Sequence, residues 1–299
     1  MPELPEVETV RRGLVPSMEG AKIVHVAQNR ADLRFPFDEN FVEVLEGSVI
    51  VEIKRRSKYL LFHLDNGYVL VAHLGMSGSF RVIQDTSEGD EDQPGAFHHE
   101  KGKNEKHDHV VMTVDKGGKL AKTIYNDPRR FGFMLLVQQN KLDEHPYFKD
   151  LGPEPTGNGI SIDYLADKFS TKNTPLKSTL LDQKIIAGLG NIYVCEALWR
   201  VKLSPLRKAN TLVSPSGKPK QALIDLSRHI QDVIDEAIKA GGSSLNDHIQ
   251  TDGSLGYFQH SFAAYGQENS PCRHEDCDGT IERITQSGRS TFYCADCQK

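Results

Sequence analysis

Apolar residues recur along the chain in two rhythms, and the change between them divides it. Over residues 2–14, Val7, Val10 and Leu14 fall at helical spacing. Pro5 suits a first helical turn, and Glu3, Glu6 and Glu8 suit the positive end of the helix dipole. Gly13 and Pro16 are expected to close this helix. From 20 to 137 the pattern predicts strands: KIVHVAQ, SVIVEIK, YLLFHL, YVLVAHL, SFRVI, HVVMTV, KLAKTIY and FGFMLLV, separated by turn residues such as Asp65-Asn66-Gly67. Many short strands at this spacing predict a sandwich or a barrel. The polar stretch between Ile83 and Lys106 is expected to be a mobile surface loop.

A boundary follows at 152–159, GPEPTGNG, where periodicity stops. Beyond it the longer rhythm returns in IDYLADKFS, PLKSTLLDQ, IYVCEALWRV and QALIDLSRHIQDVIDEAIKA, the last ended by Gly241-Gly242. Segment 241–270 is rich in Gly and Ser and reads as a loop, and a cysteine-rich module closes the chain. No internal repeat is visible. The fold class is therefore α+β and multidomain.

Charge modifies this picture only when its distribution is considered. The net charge of -5 argues against a nucleic-acid partner. Asp85, Glu88, Asp90, Glu91 and Asp92 equal that whole excess, so the rest of the chain sums to zero. KRRSK at 54–58 has four basic residues in five positions. Segment 200–220 carries Arg200, Lys202, Arg207, Lys208, Lys218 and Lys220 and no acid. Such clusters can face phosphates, or can simply be a solvated surface. No long apolar run occurs, and the start of the chain lacks the basic and apolar pattern of a secretory signal, so a cytoplasmic location is expected, with no membrane association.

Four of the five cysteines crowd into the last 28 residues. Four residues separate Cys272 from Cys277 and two separate Cys294 from Cys297, with sixteen between the pairs. Two thiolate knuckles joined by a hairpin-sized link match a four-cysteine zinc site, with two disulfides as the alternative. The link turns at Ser287-Gly288, which puts Arg289 near a hairpin tip. Cys195 lies among apolar helix residues and reads as a core thiol.

The N-terminus offers a different chemistry. Removal of Met1 would expose the secondary amine of Pro2. An α-amine has a pKa near ~8 against ~10.4 for lysine, so far more of it is unprotonated near neutrality. Attack on an aldehyde-level carbon gives an iminium that permits elimination, and Glu3 could supply a proton. The plain alternative is that Pro2 only starts a helix. Met76 in HLGMSG, and Arg129, Arg130 and Phe131 in DPRRFG, are wedge-type side chains that could fill a duplex when a nucleotide is flipped out. They could equally be core residues and surface arginines. GLGNIY at 188–193 sets two glycines and Asn191 before a helix, which suits approach to phosphate, but it lacks a P-loop lysine.

Together these residues resemble the bacterial formamidopyrimidine-DNA glycosylase family. The resemblance covers essentially the whole chain, in order: MPELPEVET, SKYLLF, HLGMSG, KHDHV, DPRRFG, LGPEP, TPLK, LLDQ, GLGNIY, GYF and the terminal cysteines. It implies a catalytic β-sandwich domain over 1–150, a helix–two-turn–helix DNA-binding domain with a lesion loop over 151–264, and a zinc-finger hairpin over 265–299. It also implies excision of 8-oxoguanine and ring-opened purines from double-stranded DNA, action on abasic sites, and strand cleavage by β,δ-elimination. The implied roles are Pro2 as Schiff-base nucleophile, Glu3 as proton donor and Glu6 as supporting carboxylate. Lys58 would hold phosphate and assist β-elimination, and Arg289 would serve δ-elimination. His73, His107, Arg129, Lys177 and Asn191 match DNA-contacting positions, and Met76, Arg129 and Phe131 match the triad that fills the void. Cys272, Cys277, Cys294 and Cys297 would hold one structural zinc ion. The enzyme would be a monomer associated with the nucleoid. Two departures stand out. Lys172 is followed by Asn173 where a basic pair is common, and the acidic loop 85–105 is longer than the family needs.

Two other readings compete. Endonuclease VIII, which removes oxidised pyrimidines, shares Pro2 and Glu3 but follows them with Gly-Pro-Glu, and here Leu4 takes that place. A non-catalytic zinc-containing DNA-binding protein would keep Asn191, Arg289 and the cysteines but would have no use for a free Pro2 beside Glu3.

Overall fold

The computed structural model describes residues 2–84, 105–243 and 257–299. The acidic segment 85–92, nearly all of the expected loop between Ile83 and Lys106, and part of the loop expected over 241–270 lie outside the described residues. The described chain forms two compact units, residues 1–149 with 240–257, and residues 150–239 with 258–299.

The first unit begins with helix α1 (Leu4–Met18). Pro5 stands in its first turn as expected, but Pro16 does not end it. Pro16 lies in the last turn, where it removes one helical hydrogen bond, and Glu19 N still donates to Val15 O at 3.1 Å. Leu14 and Met18 are both fully buried. Burying Met18 contributes about 1.5–3 kcal/mol, comparable with the cost of the proline.

Among the described residues eight strands follow: β1 (Lys22–Gln28), β2 (Ile50–Arg56), β3 (Tyr59–Leu64), β4 (Tyr68–His73), β5 (Ser79–Gln84), β6 (Asp108–Lys116), β7 (Lys119–Asn126) and β8 (Phe133–Gln138). They pair antiparallel in two four-stranded sheets, ordered β1-β6-β7-β5 and β2-β3-β4-β8. Alternate residues such as Leu60, Phe62 and Leu64 of one sheet and Val110, Met112 and Val114 of the other share one core with Val7, Val10 and Leu14 of α1. The sequence pattern did not disclose α2 (Phe41–Leu45), whose five residues are too few to show a period. Phe41 and Leu45 bury its inner side.

The second unit holds α3 (Ile162–Ser170), α4 (Leu176–Leu180), α5 (Asn191–Arg200) and α6 (Gln221–Lys239), then the hairpin β9 (Ile281–Gln286) and β10 (Arg289–Cys294). Ser161 caps α3 by accepting from Tyr164 N at 3.2 Å. The turn residues Ser287 and Gly288 both have positive φ, 50° and 74°, the backbone of a tight two-residue hairpin turn. Ala264, Cys272, Ile281, Phe292 and Cys294 form a small separate core under this hairpin.

Candidate functional site

Glu3 is the N-cap of α1 and forms a reciprocal capping box with Glu6, whose Oε2 accepts the Glu3 N–H at 2.8 Å. The other Glu6 oxygen accepts from Ser243 N at 2.8 Å and Ser243 Oγ at 2.9 Å. Pro2, Glu3, Glu6 and Ser243 are all buried. A carboxylate in such a place needs donors, and Glu6 has three. Glu6 therefore fixes the backbone on which Pro2 and Glu3 sit.

The same helix organises Lys58. Glu8 Oε2 lies 3.3 Å from Arg55 Nε, and Arg55 Nη1 donates to Ser57 O at 2.8 Å. Ser57 has φ 55°, a left-handed residue in the β2–β3 turn, and Lys58 follows it directly. Lys58 is also a near positive charge for His73 at the end of β4. His73 stacks on Phe133 at 5.3 Å, and burial, then the Lys58 and Arg34 charges, brings its pKa down to about 4. Gly75 N donates to His73 Nδ1 at 3.1 Å, which leaves the proton of a neutral ring on Nε2. His73 is thus a neutral N–H donor across the physiological range.

The HLGMSG and DPRRFG loops share one buried carboxylate. Asp127 Oδ1 accepts from Ser77 Oγ at 2.5 Å and Arg129 N at 3.3 Å, and Oδ2 accepts from Gly132 N at 2.8 Å and Tyr125 Oη at 3.4 Å. Ser77 follows Met76, and Arg129 to Gly132 flank Phe131, so Asp127 ties HLGMSG to DPRRFG. Gly75 has φ +61°, and a Cβ there would lie 2.3 Å from the Phe131 carbonyl carbon, so only glycine permits the approach of the two loops. Met76 is 38% and Phe131 45% exposed, so neither is a core residue. The Arg129 guanidinium lies 4.8 Å over the Phe131 ring. Arg130 carries a left-handed φ of 55° and lies 3.6 Å from Asp32. His107 ends a short 3₁₀ turn and is half-buried beside His109.

In the second unit, the Sγ atoms of Cys272, Cys277, Cys294 and Cys297 all lie within 4.8 Å of one another. The 3.8 Å between Cys272 and Cys297 and the 3.6 Å between Cys277 and Cys294 are far too long for disulfides. They are close to the edge of about 3.8 Å that a tetrahedron with Zn–S of about 2.3 Å requires. Asn191 is the first residue of α5, and its Nδ2 donates to Ser290 O at 3.0 Å. Lys177 of α4 is turned inward and only 1% exposed, with Nζ 2.8 Å from Ser290 O and 2.5 Å from Thr291 Oγ1. Asn173 Oδ1 accepts from Asn210 Nδ2 at 2.9 Å on the surface. Arg289 pairs with Gln286 across the hairpin turn and is exposed.

Residues 1–134 match the Formamidopyrimidine-DNA glycosylase N-terminal domain, 151–248 the Formamidopyrimidine-DNA glycosylase H2TH domain, and 269–299 the zinc finger found in FPG and IleRS. Formamidopyrimidine-DNA glycosylases of Agrobacterium fabrum and Rhizobium johnstonii are 64% and 60% identical, each over the full length of both chains. The chain belongs to the formamidopyrimidine-DNA glycosylase family. Among solved structures, a complex of Lactococcus lactis Fpg with DNA containing an abasic site superposes with a TM-score of 0.82 at 32% identity over the whole of both chains. MutM (FPG) from Thermus thermophilus gives 0.80 at 37% identity, covering 99% of this chain and 98% of that one. A MutM complex with DNA carrying carbocyclic 8-oxo-G gives 0.82 at 32% identity over the whole of both chains.

In this family member the four cysteines hold one structural zinc ion. Burial and the neighbouring thiols push the Cys297 thiol well up, so four thiolates need a cation among them. Among the described residues no helix is long and apolar enough to cross a membrane.

Several organising residues were not legible in the chain's pattern. Asp127 reads locally as a turn former. Gln183 accepts from Gly188 N at 2.8 Å and donates to Leu189 O at 2.9 Å, bracing the GLGN loop ahead of Asn191. Glu196 is buried in α5 and accepts from Ala263, Ala264 and Tyr265 N at 2.7–3.0 Å, anchoring the approach to the hairpin. Burial pushes its carboxyl up despite those donors. The one signal in the sequence was a lone acid within an apolar helix face, and its partners lie more than sixty residues away.

Proposed function

We propose that this glycosylase excises oxidised purines, including 8-oxoguanine and formamidopyrimidines, from double-stranded DNA and then cuts the strand, with Pro2 as its nucleophile. The family places the chain in base-excision repair. Solved relatives that hold abasic and 8-oxo-G-containing DNA support the substrate. The observation that carries the mechanism is the Glu3–Glu6–Ser243 box, which fixes the backbone of Pro2 in a buried site.

With Met1 removed, the secondary amine of Pro2 attacks C1′ of the damaged nucleotide. The bond from C1′ to the base breaks, and Glu3 supplies a proton to the departing group or the sugar oxygen. The opened sugar is left as an iminium on Pro2. Loss of a proton from C2′ expels the 3′ phosphate, with Lys58 holding phosphate, and loss of a proton from C4′ in a second elimination, served by Arg289, expels the 5′ phosphate. Water then releases the amine. Met76, Arg129 and Phe131 fill the gap left in the stack, and Arg129 donates to the opposite base. His73, His107 and Asn191 contact the backbone. The enzyme acts as a monomer on DNA in the nucleoid.

Borohydride trapping on a duplex carrying 8-oxoguanine tests this. The expected result is a covalent adduct that maps by peptide mass to Pro2 in protein lacking Met1. An adduct on a lysine, or full activity with Met1 retained, overturns Pro2 as nucleophile.

A further inference from the structure

The hairpin that carries Arg289 has two supports, and the metal is only one of them. Cys294 ends β10, whereas Arg289 begins it, five residues away. At about 3.3 Å per residue Cys294 lies some 17 Å along the strand from the tip. A two-stranded hairpin is weakly stable alone, so a support at one end leaves the other free to move. At the tip, α4 and α5 converge on one carbonyl. Ser290 O accepts from Lys177 Nζ at 2.8 Å and from Asn191 Nδ2 at 3.0 Å. Lys177 Nζ also donates to Thr291 Oγ1, which in turn donates to Gln286 Oε1 at 3.2 Å, and Gln286 is the residue paired with Arg289. Gln286 Nε2 reaches Pro205 O at 3.2 Å, and Pro205 O also accepts Lys177 N at 3.3 Å, so the network closes. Lys177 and Thr291 are both buried at its centre.

We propose that Lys177 is a positioning residue for Arg289: its buried ammonium fixes Ser290 and Thr291, and so sets the hairpin tip, rather than contacting phosphate itself. This rests on Arg289 serving the second elimination. Without the Lys177 contacts the hairpin keeps its zinc and its turn, but the backbone that carries Arg289 loses its anchor. The second elimination then suffers more than base removal.

The test uses full-length, zinc-loaded K177M and T291V on a duplex containing 8-oxoguanine, with β- and δ-elimination products resolved in single turnover. T291V keeps the shape and removes one acceptor. The δ-to-β product ratio is expected to fall roughly tenfold in K177M, the scale of one lost charge-assisted hydrogen bond, and less in T291V. K177R should restore part of it. Zinc content should stay at about one per chain, and the salt dependence of binding to undamaged duplex should match the unsubstituted enzyme. An unchanged ratio in both variants overturns the proposal. So does a salt slope shallower by about one with the ratio intact, which would mark Lys177 as a direct phosphate contact. Should K177M fail to fold, the T291V ratio decides. An unsubstituted enzyme that yields only β product overturns the role of Arg289, and this proposal with it.

Discussion

His73 combines burial with the nearby charges of Lys58 and Arg34, and its pKa falls to about 4. An unfolded histidine titrates near ~6.5, so between these values the unfolded chain binds a proton that the folded chain does not. Stability therefore falls as pH drops through this window, by about 3 kcal/mol at most from this residue. Urea melts at pH 7 and pH 5 should show the loss, and a His73→Gln variant should show a smaller one; equal losses would mean that other groups account for it. Phe131 is a different kind of residue, since its 45% exposure gives it little role in stability. Phe131→Ala should melt like the unsubstituted protein but lose single-turnover cleavage of 8-oxoguanine duplex by at least about tenfold, because unstacking without a wedge costs a few kcal/mol. Cleavage of a duplex with a preformed abasic site should fall much less. Equal losses on both substrates would remove the wedge role.

The element most dependent on its ligand is the hairpin β9–β10. Two of the five buried residues in its small core, Cys272 and Cys294, are metal ligands. Apolar burial there is too small to order the cysteine-bearing end of the hairpin, so metal binding and folding of that end are one equilibrium. Metal analysis should give about one zinc per chain. After chelation, amide exchange should lose protection at the Ile281 and Cys294 end of the hairpin while the sheets of the first unit keep theirs, and binding to lesion DNA should weaken. Unchanged protection across the hairpin would show that the metal is not structural. Helix α1 is the opposite case, because its fully buried face ties it to the β-sandwich core and no ligand is needed to hold Glu3 and Glu6.

Over the whole molecule, electrostatics depends on which cations remain available. Lys54 pairs with Glu52 at 2.8 Å and Arg55 with Glu8 at 3.3 Å. Arg200 makes a two-point contact with Glu236 at 2.6 and 2.9 Å, and Lys202 pairs with Asp276 at 2.6 Å. Both basic clusters are thus partly neutralised from within, and fewer phosphates can be met than the count of lysines and arginines implies. Binding to duplex DNA should still weaken steeply with salt despite the net charge of -5, with a log–log slope of magnitude about 0.9 per phosphate contacted. A flat dependence would refute a phosphate-contacting surface.

The sequence by itself determined whatever depends on neighbours along the chain. Alternation and helical spacing located all eight strands of the first unit and α3 to α6, because side chains two or four residues apart share a face. Cysteine spacing located the metal site, because a knuckle closes over a few residues. The family resemblance rested on short motifs of the same local kind. Tertiary structure decided what depends on distant partners. The buried face of Met18 carried α1 past Pro16. Asp127 joined two loops fifty residues apart, Ser243 reached Glu6 across 237 positions, and Lys177 turned inward to a hairpin 113 residues away. No local rule foresees such contacts, because a polar side chain's role is set by which donors and acceptors the folded backbone brings within hydrogen-bonding distance, and those lie anywhere in the chain.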